Sequence, residues 1–167
     1  MHSVEPSDSR VSDDWGPLKY DPDLSFAHPL LKEAYELWQR LSGARDLPSR
    51  RDLDPIQIPR PMLPHIQLLD IEAGPPARYH WRLIGTHITN ALGRDSTGKY
   101  WDELYDESSL RSMSKGIAWI QTNRRPIRCF GQSDFAKKHF QSFEAIEMPL
   151  SDNLGNVGTV WIVAVYS

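Results

Sequence analysis

The chain contains a single cysteine, Cys129, so it has no intramolecular disulfide and no metal site built from several thiolates. Its first residues include no apolar stretch of the kind found in a signal peptide. No apolar run approaches the roughly 20 residues that a membrane-spanning helix needs. The formal net charge is only −3, which provides no general attraction to nucleic acid or anionic lipid. We therefore expect a cytoplasmic protein that binds neither nucleic acid nor a membrane.

Motifs of the common enzyme and metal-site classes are also missing. The sequence has no HExxH motif, P-loop, dinucleotide fingerprint or nucleophile elbow, and no pair of histidines at metal-ligand spacing. The clustered carboxylates lie at predicted helix starts, where they stabilise the helix dipole; they are Asp102, Glu103, Asp106 and Glu107. Glu144 and Glu147 lie on opposite faces of a predicted strand and cannot act as a pair. We expect no metal, no cofactor and no catalysis, and a small α+β enzyme is the least favoured alternative.

The 167 residues suffice for one domain with a sizeable core. Residues 1–26 are rich in Ser, Asp and Pro and nearly free of aliphatic side chains, which predicts a flexible tail. Trp15, Leu18 and Tyr20 are the tail residues able to dock on the remainder. Residues 27–167 are expected to form the single domain.

The first predicted helix spans Pro29–Leu41, begins with a proline suited to its first turn and stops at Ser42-Gly43. Its apolar stripe is wide. The stripe either packs on its own domain or also serves a partner. The segment Gly43–Pro64 after it contains five prolines, which exclude a long helix or a central strand. Its arginines alternate with aspartates, which favours a salt-linked loop over a nucleic-acid contact.

The remaining periodicity predicts five strands and three more helices. Between the second strand and a short helix, Thr86 is a candidate N-cap and Gly93 a candidate C-terminal stop. Asp106 is the expected N-cap of the longest helix, and the last strand is apolar on both faces, as central strands are. The strands are His65–Ile71, a strand beginning near Tyr79, Pro126–Gln132, His139–Leu150 and Val157–Tyr166; the helices are His87–Leu92, Trp101–Leu104 and Asp106–Asn123. This order predicts an α+β fold, a five-stranded antiparallel sheet with helices on one face.

The same order resembles the PAS fold, and the chain is similar to a family of stand-alone bacterial PAS-like proteins. The resemblance covers about residues 30–166. The resemblance to the PAS fold is carried by the run Asn90–Lys99 and the later Leu104. The similarity to the narrower family is carried by Tyr35 and Trp38, Gly43–Arg50, Asp54-Pro55, Arg82–Thr86, Gly93–Asp95, Thr97-Gly98 and Pro149–Asp152. It implies a sensory or protein-interaction role without catalysis.

Haem-binding PAS domains hold the iron through a histidine on the long helix, and Asp106–Asn123 contains none. Flavin-binding ones use a cysteine in a short helix, whereas Cys129 lies in a predicted strand. We therefore expect neither group. His87 is interpreted as a surface or capping histidine, with a pocket position as the alternative.

A small apolar molecule is the expected ligand, held between the sheet and the helices that follow the second strand. The alternative is a filled core. The expected lining residues are Trp81, Ile88, Leu92, Trp101, Met113, Ile117, Ile120, Cys129, Phe143 and Trp161.

We interpret the chain as a single-domain sensory or regulatory module that acts through a downstream protein. The alternative is a structural interaction module without a ligand. A homodimer is also predicted, because the first helix has more apolar width than one sheet face needs. Its expected interface residues are Leu30, Leu31, Ala34, Leu37, Trp38 and Leu41.

Overall fold

The structure is a computed structural model that describes residues 18–133 and 138–167. Its architecture is α+β, as predicted. The strands are β1 Lys19–Asp21, β2 Ile66–Glu72, β3 Arg78–Ile84, β4 Ile127–Ser133, β5 Lys138–Ser151 and β6 Val157–Tyr166. The helices are α1 Pro29–Ser42, α2 Thr86–Leu92, α3 Trp101–Leu104 and α4 Glu107–Asn123.

The strands form one antiparallel sheet in the order β1-β4-β5-β6-β2-β3. The last strand, β6, lies between β5 and β2 and is paired along both edges, which confirms the central position predicted from its apolar composition. Among the described residues no helix is long and apolar enough to cross a membrane.

The sheet has six strands, so the predicted count of five is wrong. The added strand, β1, pairs with β4, with Tyr20 opposite Cys129. Tyr20 and Leu18 are buried, although the sequence placed both in the tail. Three residues are too few to carry a periodic signal, and pairing at the edge with β4 supplies the missing stabilisation. The expected flexibility of residues 1–17 lies outside the described residues, and the domain boundary at residue 27 stays a prediction.

The two faces of the sheet are covered by different helices. We call the inner face the one that carries Phe143, Ala145 and Glu147 of β5, and the outer face the one that carries the alternate residues of β5. On the outer face, the Glu144 carboxylate accepts the backbone N–H groups of Ala27 and His28 at 2.8 and 2.9 Å. These bonds fix the start of α1, which contacts β5 and β6. Helices α2, α3 and α4 cover the inner face.

Helix α1 lies flat on the outer face and its apolar stripe is used within the chain. Leu31, Ala34, Leu37 and Trp38 are buried, and the Trp38 indole N–H donates to the Pro149 carbonyl at 2.9 Å. The predicted dimer interface is therefore wrong for these side chains. Leu30 and Leu41 are partly buried against the same core. The sheet covers most of the stripe because β5 and β6, at 14 and 10 residues, are its longest strands.

The proline-rich segment forms three short 3-10 helices, Arg50–Asp52, Pro55–Gln57 and Arg60–His65. Arg45 pairs with Asp52 at 2.8 Å and Arg124 with Asp46 at 2.6 Å. These contacts agree with the salt-linked loop predicted here.

Local signals set the ends of the inner-face helices. Asp106 caps α4 by accepting from the Ser109 N–H at 2.8 Å, and Gly93 ends α2 in the left-handed conformation at φ 75°, both as predicted. Thr86 is not a cap; Gly85 occupies that position without a side-chain bond. A Cβ at Gly85 would lie 2.6 Å from the Pro64 carbonyl carbon, so only glycine lets the chain pass this close.

Candidate functional site

A cavity of about 50 Å³ lies between the inner face and helices α2–α4. It is lined by Leu92 of α2, Trp101 of α3 and Met113 of α4, together with side chains from β2, β3, β4, β5 and β6. Leu18, just before β1, closes one side. The cavity therefore lies where the sequence predicted a ligand site.

Most of the predicted lining residues do meet there. They are Trp81, Leu92, Trp101, Met113, Cys129 and Phe143. Four others do not line the cavity, namely Ile88, Ile117, Ile120 and Trp161. All four are fully buried in the core, so they contribute packing instead.

Trp161 lies on the outer face. Its neighbour Ile162 pairs with Glu147 and lines the cavity, and successive side chains of a strand point to opposite faces. Trp161 pairs instead with Met148 and Leu68, on the side that α1 covers. Because β6 is apolar on both faces, its composition carries no information about which face each residue takes.

Ile117 and Ile120 lie on α4, where the side chain of Tyr20 from strand β1 packs between the helix and the sheet. The Tyr20 hydroxyl donates to the Ser112 carbonyl of α4 at 3.2 Å. A Cβ on Gly116 would lie 2.7 Å from the Cζ atom of Tyr20, so the ring fits against α4 only because residue 116 is glycine. Tyr20 thus fills the space under this part of α4, and the omission of β1 explains the error. Ile88 lies on α2, which contacts β6 and the Arg60–His65 helix.

Aromatic rings form much of the cavity wall. The ring centroids of Trp81 and Trp101 lie 5.6 Å apart, and Trp101 meets Tyr105 edge-on at 6.1 Å. The Trp81 indole N–H donates to the Tyr105 hydroxyl at 3.0 Å. On the sheet side, Phe143 stacks on Tyr166 at 5.4 Å. These contacts hold the rings in fixed orientations around the cavity.

The cavity also contains a carboxyl group that the sequence reading did not assign to it. Glu147 lines the cavity, and its Oε1 atom is enclosed without a hydrogen-bond partner among the described residues. Burial raises the pKa of this carboxyl to about 8, because a charge is costly away from water. The sequence of β5 indicates this position, because Glu147 lies four residues after Phe143 and the two side chains therefore share a face.

Two more polar groups accompany Glu147. Gln67 of β2 is buried and lines the cavity; it and Glu147 flank Ile162 on the same face. The indole N–H of Trp101 is enclosed and has no hydrogen-bond partner in the described part of the chain. The predicted lining residues did not include Gln67 or Glu147, which add polar groups to an otherwise aromatic and aliphatic wall. We call these two residues the polar row.

Cys129 is an unreactive member of the lining. Burial, followed by the neighbouring Glu147 carboxyl, raises the pKa of its thiol well above the usual value. A protonated thiol is a poor nucleophile. This agrees with the interpretation of Cys129 as a core residue.

His87, interpreted from sequence as a surface or capping histidine with the pocket as the alternative, is half-buried and does not line the cavity. Its Nε2 atom accepts the backbone N–H of Tyr166 at 3.1 Å, at the end of β6. Its ring lies 4.1 Å from that of His65. Burial, then the nearby His65 and His28, lowers the His87 pKa, so the ring stays a neutral acceptor.

The two glutamates of β5 have separate surroundings, as predicted. Glu144 on the outer face pairs with Arg128 at 2.6 Å, whereas Glu147 faces the cavity. No group of three or more His, Cys, Asp or Glu side chains suited to a metal ion occurs among residues 18–133 and 138–167 as far as their side chains are described.

No curated protein matches the chain. A family model described as a PAS domain matches residues 26–161, which include α1, the helices of the inner face, strands β2 to β5 and the first half of β6. The chain therefore belongs to the PAS domain family.

Proposed function

We propose that the protein is a sensory module that binds a small molecule in the inner-face cavity and signals occupancy to a protein partner. PAS domains in general are non-enzymatic sensory or signalling modules, which supports the class of function. The observation that carries the proposal is the Oε1 atom of Glu147, which is enclosed at the cavity without a hydrogen-bond partner in the described part of the chain. We place the protein in the cytoplasm as part of the same proposal.

A buried polar group without a partner costs free energy and calls for an explanation such as a missing water, ion or ligand. Glu147 lies in β5, which contacts both α1 and α4. A change of charge or position at Glu147 would therefore act on the helices of both faces. This contact is the route by which occupancy of the cavity would reach the protein surface.

Native mass spectrometry of freshly purified full-length chain tests the proposal. The expected result is a bound small molecule that is released on unfolding. The variant Ala164→Val adds two methyl groups at a buried lining position and should displace the molecule. The matched control Ala44→Val changes an exposed alanine and should not. Two results together would contradict the proposal. The parent chain would carry no bound molecule, and Ala164→Val would stabilise the protein, as the filling of an empty cavity does.

A second candidate is an interaction module whose core carries no ligand. The small size of the cavity favours it, because about 50 Å³ is well below the roughly 300 Å³ at which drug-sized ligand sites begin. The downstream protein would then bind to the outer surface of the domain.

The predicted homodimer stays a prediction, and its interface would have to lie away from the buried stripe of α1. Light scattering of the parent chain tests it.

The expected absence of haem and flavin stays a prediction. An absorption spectrum of the purified chain without a Soret or flavin band would agree with it, and either band would contradict it.

A further inference from the structure

The polar row of the inner face indicates the kind of molecule that the cavity accepts. Glu147 and Gln67 lie two strands apart on either side of Ile162 and contribute to the same cavity. Both offer oxygen acceptors. The rest of the wall includes Trp81, Trp101 and Phe143, whose rings have electron-rich faces.

We propose that the cavity binds a small protonated primary amine, whose ammonium group donates to the Glu147 carboxylate and the Gln67 amide oxygen against the aromatic wall. This deepens the proposed function and rests on it. An ammonium group has three N–H donors and no acceptor, which complements a carboxylate and an amide oxygen. Aromatic faces attract such a cation.

The aromatic wall favours an organic cation over a metal ion. Carboxylate and carbonyl oxygens alone would suit a hard metal ion, but such an ion requires more oxygen ligands than this wall provides. Organic ammonium ions, in contrast, are recognised by aromatic side chains combined with a few acceptors. An aromatic cavity with one carboxyl group has this composition.

The size of the cavity limits the ligand. A cavity of about 150 Å³ accepts benzene, and this one has about 50 Å³. An amine with roughly two to four non-hydrogen atoms inside the cavity fits this volume. Arg94 is an exposed lining residue and marks the opening, through which a longer chain would extend.

Other charged or titratable groups near Glu147 do not satisfy it. Tyr20, Cys129 and Tyr166 are its neighbours from β1, β4 and β6, and burial raises the pKa of each, so none provides a charge near neutral pH. Among the described lining residues the cationic one is Arg94, which is exposed and whose Cζ atom lies 6.0 Å from the Tyr105 ring centroid. Arg128 is engaged with Glu144 and Asp21 on the outer side of the sheet. An external cation is therefore required to neutralise an ionised Glu147.

Binding must also release a proton. The free carboxyl is largely protonated at neutral pH, since its pKa is about 8, and the bound ammonium ion requires the carboxylate. Glu147 therefore gives its proton to solvent as the ammonium enters. The affinity should then increase roughly tenfold per pH unit between about pH 6 and about pH 8.

The test is a titration of the full-length ¹⁵N-labelled chain with methylammonium chloride, followed by NMR at the indole N–H signals of Trp81 and Trp101. Methanol and sodium chloride are the matched neutral and ionic probes. We expect saturable shifts with methylammonium alone and an affinity that rises with pH. Glu147→Gln should weaken binding roughly tenfold or more, the effect of losing a charged hydrogen bond, and should remove the pH dependence. Glu107→Gln, at a side chain that is 89% exposed, should retain both.

The outcomes separate this inference from the proposed function. Equal binding of methanol without pH dependence overturns the amine and leaves a small-molecule sensor. The absence of shifts with every probe also overturns the amine, and the mass-spectrometric result then decides the function independently. The pH dependence of the parent chain keeps the test decisive if Glu147→Gln fails to fold.

Discussion

The two faces of the sheet use the same strands for different purposes. The outer face is closed by α1, and its central side chains are fully buried and apolar; they are Ile146, Met148, Leu150, Trp161 and Val163. The inner face carries Cys129, Glu147 and Gln67 among its apolar residues and leaves a cavity. The outer face is thus packed as a protein interior normally is, whereas the inner face keeps a void and a polar row.

The outer face therefore contributes mainly to stability, and the inner face of the same sheet provides the candidate functional site. Close packing on the outer face holds β5 and β6 together, so the inner face can tolerate an unpaired carboxyl. Substitutions on the outer face should therefore reduce stability without a pH signature. Substitutions in the polar row should change the pH dependence of stability.

Trp38→Glu should cause the largest loss. It removes a buried ring and the indole N–H bond to Pro149, and it places a carboxylate against the apolar outer face. We expect a loss of about 4–5 kcal/mol or more, seen by circular dichroism as an unfolded chain. Gln39→Glu, at an exposed position of the same helix, is the control. A folded, monomeric Trp38→Glu variant of a dimeric parent would instead support the predicted α1 interface.

Trp161→Ala should destabilise the protein by about 3–5 kcal/mol, as large-to-small core changes do. Trp161 is fully buried on the outer face, and thermal melts measure the loss. Trp161→Phe keeps an aromatic ring and removes an indole N–H that has no hydrogen-bond partner among the described residues, so its loss should be smaller. A loss of only a degree or two for Trp161→Ala would mean that the outer face is not close-packed.

Glu147→Gln should remove the pH dependence of stability that the inner-face carboxyl imposes. The folded-state pKa is about 8 against an ordinary value of 4.5, so between these values the folded chain binds more protons than the unfolded chain. The free energy of unfolding should then fall with rising pH, by up to about 1.4 kcal/mol per unit. The amide removes this slope. Urea melts at several pH values in amine-free buffer measure it, and an unchanged slope would show that Glu147 is solvated.

Local residue chemistry predicted much of this fold. Features that depend on pairing between distant segments were not predicted. Asp106 and Gly93 identified helix ends because capping depends on neighbouring residues. Strand β1 was missed because its three residues are stabilised by pairing with β4, more than 100 positions away. Trp161 was assigned to the cavity by residue type, since a strand buried on both sides has no polar alternation. Glu147 was left out because it was considered only together with Glu144 as a catalytic pair, although its position four residues after Phe143 places it on the cavity face.

Gly116→Ala tests the contact that closes the inner face at β1. In an exposed helix this change is stabilising by about 1 kcal/mol, but here the added methyl group meets the Tyr20 ring. We expect a loss of about 1–3 kcal/mol from overpacking. In a Tyr20→Ala background the same change should become stabilising. A double-mutant cycle of melts measures this coupling, and additive effects would contradict the contact.

The smallest expected effect concerns His87, whose side chain accepts a hydrogen bond from Tyr166, the last residue of β6. Its pKa is lowered by burial and by His65 and His28, and its Nε2 must stay unprotonated to accept the Tyr166 N–H. Below an ordinary pKa of 6.5 the unfolded chain therefore binds more protons than the folded chain. Stability should fall as pH decreases, by less than about 1.4 kcal/mol per unit.

The pH dependence from His87 has the opposite sign to that from Glu147, so it should be measured in the Glu147→Gln background. There His87→Gln, whose amide oxygen can accept the same bond, should flatten the dependence below about pH 6.5. His80→Gln, at a histidine on the edge strand β3, is the control. A slope that survives His87→Gln but not His80→Gln would assign the titration to the edge of the sheet.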